Sequence, residues 1–326
     1  MWRNKKIVMI TPERLGDTLM CTPAIRYFKH HYPELEIDII ALSELSAQVL
    51  KNNPDIRQVF ILPSQKTLKN LELNYDYAIN IHDGPLAREY IQMLNIPAKH
   101  IPPENFNIHQ AEQALLFIQS LLPNQPEILE RSYRIFPDTE DTAHIEQILE
   151  AHHIDFKKTI LIGLHIGCHS IAKKNFAFLK KLTHPKIWPF ESIVEFAQKL
   201  YQENPAVKII ITGSRSEKNL GEKLVKLSPN IINFIDKTTV PQLCALMRYL
   251  KVFVTPDTGL MHVACSTDVP LIALFGPTQL QRTGPYPESS HLSILQASTM
   301  AEITADKVFQ AVMSCVLSKA KTSLLA

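Results

Sequence analysis

The stretch VFVTPDTGLMHVACSTDVPLIALF, residues 252–275, decides the architecture of the second half of the chain. It begins with a short apolar strand at 252–254, continues with a helix that starts near Leu260, and ends in a second apolar strand at 271–275. Strands that are apolar on both faces and alternate with helices are typical of parallel sheets covered by helices on each side. The stretch therefore indicates an α/β fold.

The same alternation extends over the whole chain, with apolar strands predicted at 6–10, 36–42, 58–62 and 77–81, and again at 159–165, 207–212 and 231–235. A polar stretch at 137–158 separates the halves, so the sequence predicts two Rossmann-like, doubly wound parallel-sheet domains over residues 1–155 and 156–326. The last helix, about 305–318, is a candidate to pack back on the first domain. Ligands are expected at the carboxyl ends of the strands, in a cleft that the two domains face.

The composition narrows the class of protein. The chain has 326 residues, 45% of them hydrophobic, and a net charge of +2, which excludes global disorder and does not indicate a nucleic-acid partner. Its five cysteines form no CxxC pair, so neither a zinc site nor a disulfide framework is indicated. The apolar run near the start, residues 7–10, is too short for the signal peptide of a secreted protein, and no run approaches the about 18 apolar residues of a membrane span. We expect a cytoplasmic protein that at most touches a membrane surface.

Polar residues gather where the predicted strands end. The five corners are RLGDT (14–18), HIGCHS (165–170), TGSRSE (212–217), TPDTGLMH (255–262) and FGPTQLQRTGPY (275–286). Because the carboxyl ends of parallel strands share one edge of a sheet, these corners are expected to surround a ligand.

The corner at 255–262 is suited to an anion. A helix that starts near Leu260 directs free N–H groups toward the preceding loop, where Thr258 and Gly259 let a phosphate approach the backbone. A bound phosphate would also favour a charged His262, whereas Asp257 would repel phosphate and so caps the helix or binds sugar hydroxyls. The alternative is purely structural, with Asp257 or Thr258 as the cap and His262 as a buried, hydrogen-bonded residue.

Three further side chains have both a functional and a structural interpretation. Asp17, in a glycine-containing loop before a helix, is a candidate general base or an N-cap. Lys186 stabilises a departing diphosphate or is a solvated lysine. Glu217 accepts hydrogen bonds from ribose hydroxyls or is an exposed helix-start residue. His165 and His169 do not have the placement of a metal site.

Long motifs resemble a known family. RLGDTLMCTPAIRYFKHHYP near the start, HIGCHS and HPKIWPFESIVEFAQKL in the middle, and PDTGLMHVACSTDVPLIALFGPTQLQRTGPY near the end are similar to the lipopolysaccharide heptosyltransferases of glycosyltransferase family 9. The resemblance implies a GT-B fold and an inverting, metal-independent transfer of heptose from ADP-heptose to a lipopolysaccharide inner-core acceptor. It requires no cofactor beyond the donor substrate, and it implies peripheral contact with the inner membrane surface.

The resemblance also implies roles for residues. Asp17, in the family's GD motif, is the base, and Lys186, in K-x-WP, holds the diphosphate. The donor side comprises Asp257, Thr258, Gly259, Leu260, His262, Glu217 and Ser214, and the acceptor side Arg14, Gly16 and Thr18. The family's usual HPG is His165-Ile166-Gly167 here, and the loop at 169–186 is long, which leaves phosphate contacts by Cys168, His169 and Ser170 open.

Several alternatives stay open at this point. They are a family-9 enzyme with another donor or acceptor, a GT-B sugar-nucleotide epimerase, and a non-catalytic sugar-nucleotide binding protein. An NAD oxidoreductase is disfavoured because no GxGxxG follows the first strand of either domain. Basic residues of the first domain are either membrane contacts or ordinary surface charges: Arg3, Lys5, Lys6, Arg26 and Lys29.

Overall fold

The computed structural model describes residues 2–72, 75–82, 84–96, 98–103, 107–167 and 185–322. The chain forms two compact units. Unit 1 comprises Met1–Asp138 and Gln281–Pro287, and unit 2 comprises Thr139–Leu280 and Glu288–Ala326. Each unit contains a parallel sheet with flanking helices, which confirms the predicted α/β class.

Unit 1 is built on a five-stranded sheet of order β3-β2-β1-β4-β5. Its strands are β1 (Lys6–Thr11), β2 (Glu36–Ala41), β3 (Gln58–Ile61), β4 (Tyr77–Asn80) and β5 (Ala98–His100). Its helices are α1 (Leu15–His31), α2 (Glu44–Leu50), α3 (Gln65–Glu72), α4 (Pro85–Met93) and α5 (Gln110–Leu121). β1 and β2 are buried along almost their whole length, which is why their sequences are nearly continuous apolar runs.

Unit 2 is built on a six-stranded sheet of order β11-β10-β9-β6-β7-β8. Its strands are β6 (Ile160–His165), β7 (Val207–Thr212), β8 (Ile231–Asn233), β9 (Val252–Pro256), β10 (Leu271–Phe275) and β11 (Leu292–Gln296). The helices that follow α5 are α6 (Thr139–Ala151), α7 (Phe190–Glu203), α8 (Lys218–Leu227), α9 (Val240–Met247), α10 (Gly259–Cys265), α11 (Leu280–Thr283) and α12 (Ala305–Thr322).

Helix α1 begins earlier than the sequence predicted. Because proline is common in the first turn of a helix, the sequence predicts a helix over residues 22–32 that starts near Pro23. In the structure, α1 starts at Leu15 and contains Pro23 in its interior. Proline has no N–H to give to the carbonyl four residues before it. In this helix the Thr22 hydroxyl donates to the Leu19 carbonyl at 2.8 Å and so replaces the missing donor. The prediction that Asp17 lies in a loop is therefore wrong, because it lies in the first turn of α1.

The polar stretch between the halves is not a linker. Its residues 139–151 form α6, which buries Ile145 and Leu149. The helix packs against α9 and belongs to unit 2. The contact-based division falls between Asp138 and Thr139, earlier than the boundary expected after residue 155.

The last helix, α12, also belongs to unit 2. It packs against α7, β9, β10 and β11, and Val308 and Val312 are fully buried in the core of that unit. These contacts place α12 on the sheet of unit 2, and its packing on the first domain stays a prediction.

A short segment from the second half of the chain, Gln281–Pro287, packs within unit 1. The Tyr286 hydroxyl donates to Glu112 Oε2 at 2.6 Å, and the Tyr286 ring stacks on His109 with centroids 4.7 Å apart. His109 Nδ1 accepts the Ala111 N–H at 3.1 Å, so Nε2 carries the proton that is donated to the Gly284 carbonyl at 3.1 Å. The predicted corner at 275–286 is thus divided between the two units.

The surface charges of unit 1 are largely paired. The ion pairs are Arg3–Glu34 at 3.3 Å, Lys5–Asp76 at 2.7 Å, Lys6–Glu36 at 3.2 Å and Arg26–Asp55 at 2.9 Å, and Lys29 donates to the Leu35 carbonyl at 2.7 Å. This pairing favours the interpretation of these basic residues as ordinary surface charges. Within the described ranges, no helix is long and apolar enough to cross a membrane.

Candidate functional site

Each sheet has one place where the direction of strand addition reverses. In unit 2 the chain proceeds from β6 to β7 and β8 on one side, and from β9 to β10 and β11 on the other, so the reversal lies between β6 and β9. In open parallel sheets, such a reversal is where ligands commonly bind, so we expect a ligand at this place. The predicted donor residues that start with Asp257 directly follow β9.

An ion pair joins two of the predicted residues at this place. Lys186 Nζ lies 2.7 Å from Asp257 Oδ2, and the two side chains are 36% and 6% exposed. Asp257 is not the cap of α10, because Thr258 occupies the N-cap position, without a side-chain capping bond; the structural alternative stays open for Thr258 and for the buried His262. The surface-lysine alternative for Lys186 is also disfavoured by this nearly buried partner. The carboxylate orients the ammonium group, while the lysine side chain as a whole stays partly exposed.

Trp188 anchors the segment that carries Lys186. Its side chain is 3% exposed, its Nε1–H donates to the Ile303 carbonyl at 2.7 Å, and its ring meets Phe196 edge-on at 5.7 Å. A buried indole with its N–H satisfied is a rigid support. The K-x-WP motif therefore combines a charged group with the residue that fixes its backbone.

The remaining predicted residues of this corner lie on α10. Thr258, Gly259 and Leu260 are half-buried at its start, and the Thr258 hydroxyl lies 3.3 Å from that of Thr255. His262 is 3% exposed, as the fourth residue of a helix of only seven. A helix this short has a limited dipole, so Lys186 is the stronger source of positive charge.

Glu217 is neither exposed nor in the main body of a helix. It is 2% exposed and closes a capping box in the 3₁₀ turn Arg215–Glu217 after β7. Its Oε2 accepts the Ser214 N–H at 2.7 Å and the Ser214 hydroxyl at 2.8 Å, and its Oε1 accepts the Ser216 hydroxyl at 2.5 Å. The exposed-glutamate alternative is wrong, and the ribose contact stays a prediction.

Gly167, after β6, is required by this carboxylate. A Cβ at position 167 would lie 2.6 Å from Glu217 Cδ and 2.8 Å from Oε2. The two serines hold the carboxylate in place, so it cannot move aside without breaking the capping box. The glycine thus lets the loops after β6 and β7 pack closely.

We expect Gly167→Ala to lower the free energy of unfolding by about 1–3 kcal/mol, because the added methyl overpacks the corner. The same substitution in a Glu217→Ala background should cost much less, since the clashing group is gone. Urea unfolding of the two single variants and the double variant measures this coupling. Additive losses would show that the conflict with Glu217 is not the cause.

His165, at the end of β6, is a buried neutral imidazole. Its Nδ1–H lies 3.0 Å from the Thr212 carbonyl and 3.2 Å from the Thr212 hydroxyl. Burial lowers the pKa of His165 to about 4, although the carbonyl partly opposes this shift. Neutral His165 therefore links the end of β6 to the end of β7, next to the reversal between β6 and β9.

This lowered pKa makes stability depend on pH. Between pH 6.5 and about 4 the unfolded chain binds a proton at residue 165 that the folded chain does not, so folding stability falls as pH falls through this window. We expect His165→Asn, whose amide can still donate to Thr212, to remove roughly 3 kcal/mol of this pH dependence. Urea unfolding across a pH series tests it, and parallel curves for the two proteins would contradict it.

Unit 1 presents its predicted residues at an equivalent place. The reversal in its sheet lies between β1 and β4, and α1 starts just after β1. Asp17 is the third residue of this 17-residue helix and is half-buried, and the N-cap position is occupied by Arg14. The N-cap alternative for Asp17 is therefore wrong. Its carboxylate lies in the first turn, where the helix dipole stabilises negative charge.

The neighbours of Asp17 differ in access. Arg14 is exposed, whereas Gly16 and Thr18 are buried. The Thr18 hydroxyl lies 3.1 Å from the Pro12 carbonyl, 3.0 Å from the Arg14 carbonyl and 2.9 Å from Ser46 Oγ. These contacts occupy the Thr18 hydroxyl and fix the start of α1 against the residues before it. Ser46 also holds the start of α1 in place through its contact with Thr18, and it lies in no motif that would mark it in the sequence.

Cys21 is not a competing nucleophile. Its buried thiol donates to the Asp17 carbonyl at 3.2 Å. Burial, and then the charge of Asp17, raise the pKa of this thiol well above its usual value. A protonated thiol is a poor nucleophile at neutral pH, so Cys21 does not compete with Asp17, whose role as a base stays a prediction.

Metal ligands are not grouped in the part of the chain that the structure describes, where no cluster of three or more His, Cys, Asp or Glu side chains could hold an ion. Cys168, His169 and Ser170, and most of the long lysine-rich loop, lie outside the described residues.

Comparisons with known proteins show the family of this chain. Residues 93–313 match the family model described as glycosyltransferase family 9 (heptosyltransferase). A lipooligosaccharide heptosyltransferase 2 of Campylobacter jejuni is 22% identical, covering 86% of this chain and 84% of its own.

Two solved structures share the fold. A glycosyltransferase family 9 protein of Veillonella parvula has a TM-score of 0.83 at 19% identity, covering 97% of this chain and 98% of its own. The ADP-heptose lps heptosyltransferase II of E. coli has a TM-score of 0.77 at 19% identity, covering 97% and 99%. The family match spans more than half of the chain, and these neighbours share its two-sheet GT-B architecture. The chain therefore belongs to glycosyltransferase family 9, the heptosyltransferases, and is a transferase.

Proposed function

We propose that this protein transfers heptose from ADP-heptose to a lipopolysaccharide inner-core acceptor, with inversion at the anomeric carbon and without a metal ion. The observation that carries the proposal is the Lys186–Asp257 ion pair at the strand reversal of unit 2. The pair provides an oriented ammonium group, on a partly exposed lysine side chain, where an anionic leaving group is expected to bind. The names of the relatives, which include ADP-heptose and lipopolysaccharide, support the choice of donor and acceptor.

Unit 2 receives the donor in this proposal. Lys186 contacts the diphosphate, and the start of α10 at Thr258, Gly259 and Leu260 adds backbone N–H groups. Glu217, Ser214 and His262 complete the donor side. An ammonium group placed before the reaction stabilises the negative charge of departing ADP without reorganising solvent. This function does not need a divalent cation.

Asp257 has two compatible roles. Its Oδ2 holds Lys186, and we assign its other oxygen to the hydroxyls of the donor sugar. Because the Asp257 side chain is only 6% exposed, little of its surface is left for a sugar hydroxyl. This combination resolves the repulsion between a carboxylate and a diphosphate, since Lys186 stands between the two charges.

Unit 1 supplies the base. The Asp17 carboxylate removes the proton from the acceptor hydroxyl while that oxygen forms its bond to the anomeric carbon. The bond between this carbon and the diphosphate oxygen breaks in the same step, and the electron pair leaves with ADP. A single displacement of this kind inverts the configuration. Arg14, Gly16 and Thr18 shape the acceptor side.

We propose that the protein works in the cytoplasm, in peripheral contact with the inner membrane where its acceptor is anchored. This proposal does not rely on the basic residues Arg3, Lys5, Lys6, Arg26 and Lys29, which have polar partners within unit 1. An acceptor held by the membrane already brings the enzyme to the surface.

Release of ADP from ADP-heptose, with and without heptose-deficient lipopolysaccharide, tests the proposal. We expect acceptor-dependent release, a product of inverted anomeric configuration, and full activity after treatment with EDTA. Tight ADP binding without release would favour another donor or acceptor within the family, or a binding protein. Loss of activity in EDTA that added metal restores would overturn metal independence.

A further inference from the structure

Gly276, directly after β10, lies against the backbone that carries Lys186. A Cβ at this position would be 2.8 Å from the Pro185 carbonyl oxygen, 3.1 Å from Met300 Cγ and 3.3 Å from the Met300 backbone nitrogen. Two of these neighbours are backbone atoms, which cannot rotate away as a flexible side chain can. Only glycine lets the two loops approach so closely.

The Pro185–Lys186 segment is also held from its other side. Trp188 is fixed by its hydrogen bond to the Ile303 carbonyl at 2.7 Å, and Pro189 is the N-cap of α7. Ile303 directly follows the 3₁₀ turn Met300–Glu302, whose first residue also contacts Gly276. The same short stretch, 300–303, therefore touches both the glycine and the tryptophan anchor.

We propose that Gly276 is a positioning residue that sets where the Lys186 ammonium group lies. A methyl group at 276 would displace the Pro185 carbonyl, and the neighbouring Lys186 backbone would move with it. Trp188 prevents the segment from shifting as a rigid whole, so the displacement must appear between 185 and 188. The Lys186–Asp257 distance of 2.7 Å then changes.

This inference rests on the proposed function, since it assumes that Lys186 binds the diphosphate of the donor. A misplacement of the order of 1 Å in a charge-stabilising group can cost about 10²-fold in rate. We therefore expect Gly276→Ala to lower kcat/KM by about 10- to 100-fold, because the displaced Lys186 stabilises the charge of the departing diphosphate less well.

A double-mutant cycle on ADP binding gives the decisive test. Calorimetry would compare wild type, Gly276→Ala, Lys186→Met and the double variant, with ADP and adenosine as ligands. We expect Gly276→Ala to weaken ADP binding by about tenfold and to leave adenosine binding unchanged. In the Lys186→Met background it should have no further effect, because the group that it displaces is absent.

The matched control is Gly84→Ala in unit 1, where an added Cβ meets nothing within 4 Å. It should leave both affinities unchanged. Additive effects of Gly276→Ala and Lys186→Met, or equal losses for ADP and adenosine, would overturn the inference and leave the proposed function intact. Failure of the wild type to bind ADP would overturn both.

A second variant covers the case in which Gly276→Ala does not fold. Pro185→Gly keeps the close approach but loosens the backbone next to Lys186. It should weaken ADP binding, and again only while Lys186 is present. Unchanged ADP affinity in this variant would contradict the proposed positioning.

Discussion

Asp17→Asn is expected to lower kcat about 10³-fold, within the range that a single general base supplies. Asparagine has nearly the same shape, so the first turn of α1 stays packed, but its amide cannot accept a proton from the acceptor hydroxyl. Donor binding should change by less than about twofold, because only the chemical step is affected. Steady-state kinetics of acceptor-dependent ADP release, with ADP affinity measured separately, would show this division.

Glu140→Gln is a suitable control for Asp17→Asn. Glu140 is an exposed carboxylate in the first turn of α6, so its neutralisation removes a comparable helix-dipole interaction without touching unit 1. We expect wild-type kinetics for this control. If Asp17→Asn kept the wild-type kcat, the assignment of the base would be wrong; a parallel loss of thermal stability would indicate a structural role.

Lys186→Met is expected to lower kcat/KM by about 10²- to 10³-fold. Losses of this size are typical when an enzyme loses one hydrogen-bond donor that stabilises negative charge in the transition state. Methionine keeps most of the aliphatic stem and removes the ammonium group. ADP affinity should fall together with kcat, while adenosine affinity should persist. The nearly buried Asp257 loses its partner, so stability should fall by roughly 1 kcal/mol.

Lys199→Met tests whether these effects are specific. Lys199 is 34% exposed and pairs with Asp306 at 2.6 Å. Like Lys186, it lies in unit 2, is partly exposed and forms a close ion pair with an aspartate. Its partner is 68% exposed, however, so we expect the stability and the catalysis of the wild type. Adding Asp257→Asn to Lys186→Met should restore stability and leave activity low. Full activity in this double variant would exclude Lys186 from the reaction.

Much of the fold could be predicted because periodicity is local. The buried strands β1, β6, β7 and β10 are continuous apolar runs, and their alternation with helices left few architectures open. The prediction failed at two places where contacts in the folded chain outweigh the preference of the local sequence. Pro23 indicated a helix start, but the Thr22 hydroxyl satisfies the carbonyl that proline leaves free. The polar stretch at 139–151 indicated a boundary, but two buried residues make it a packed helix.

The candidate site divides in the same way. Asp17 and Lys186 were selected from their places near strand ends and from family motifs, and the described structure is compatible with their proposed roles. Gly167 and Gly276 could not be selected, because their constraint comes from atoms many residues away. The burial of Glu217 by two serines was missed for a related reason: a capping box was hidden inside a corner that looked exposed.

The sequence by itself determined the class of fold, the strand ends where chemistry is possible, and the kinds of side chain present there. These properties follow from hydrophobic period and residue type within short windows. Only the tertiary structure decided that Lys186 pairs with Asp257, that His165 is held neutral by burial and bonded to Thr212, and that Gly276 touches the Pro185 carbonyl. Each of these depends on the packing of loops distant in sequence, and it is this packing that sets charge, access and distance.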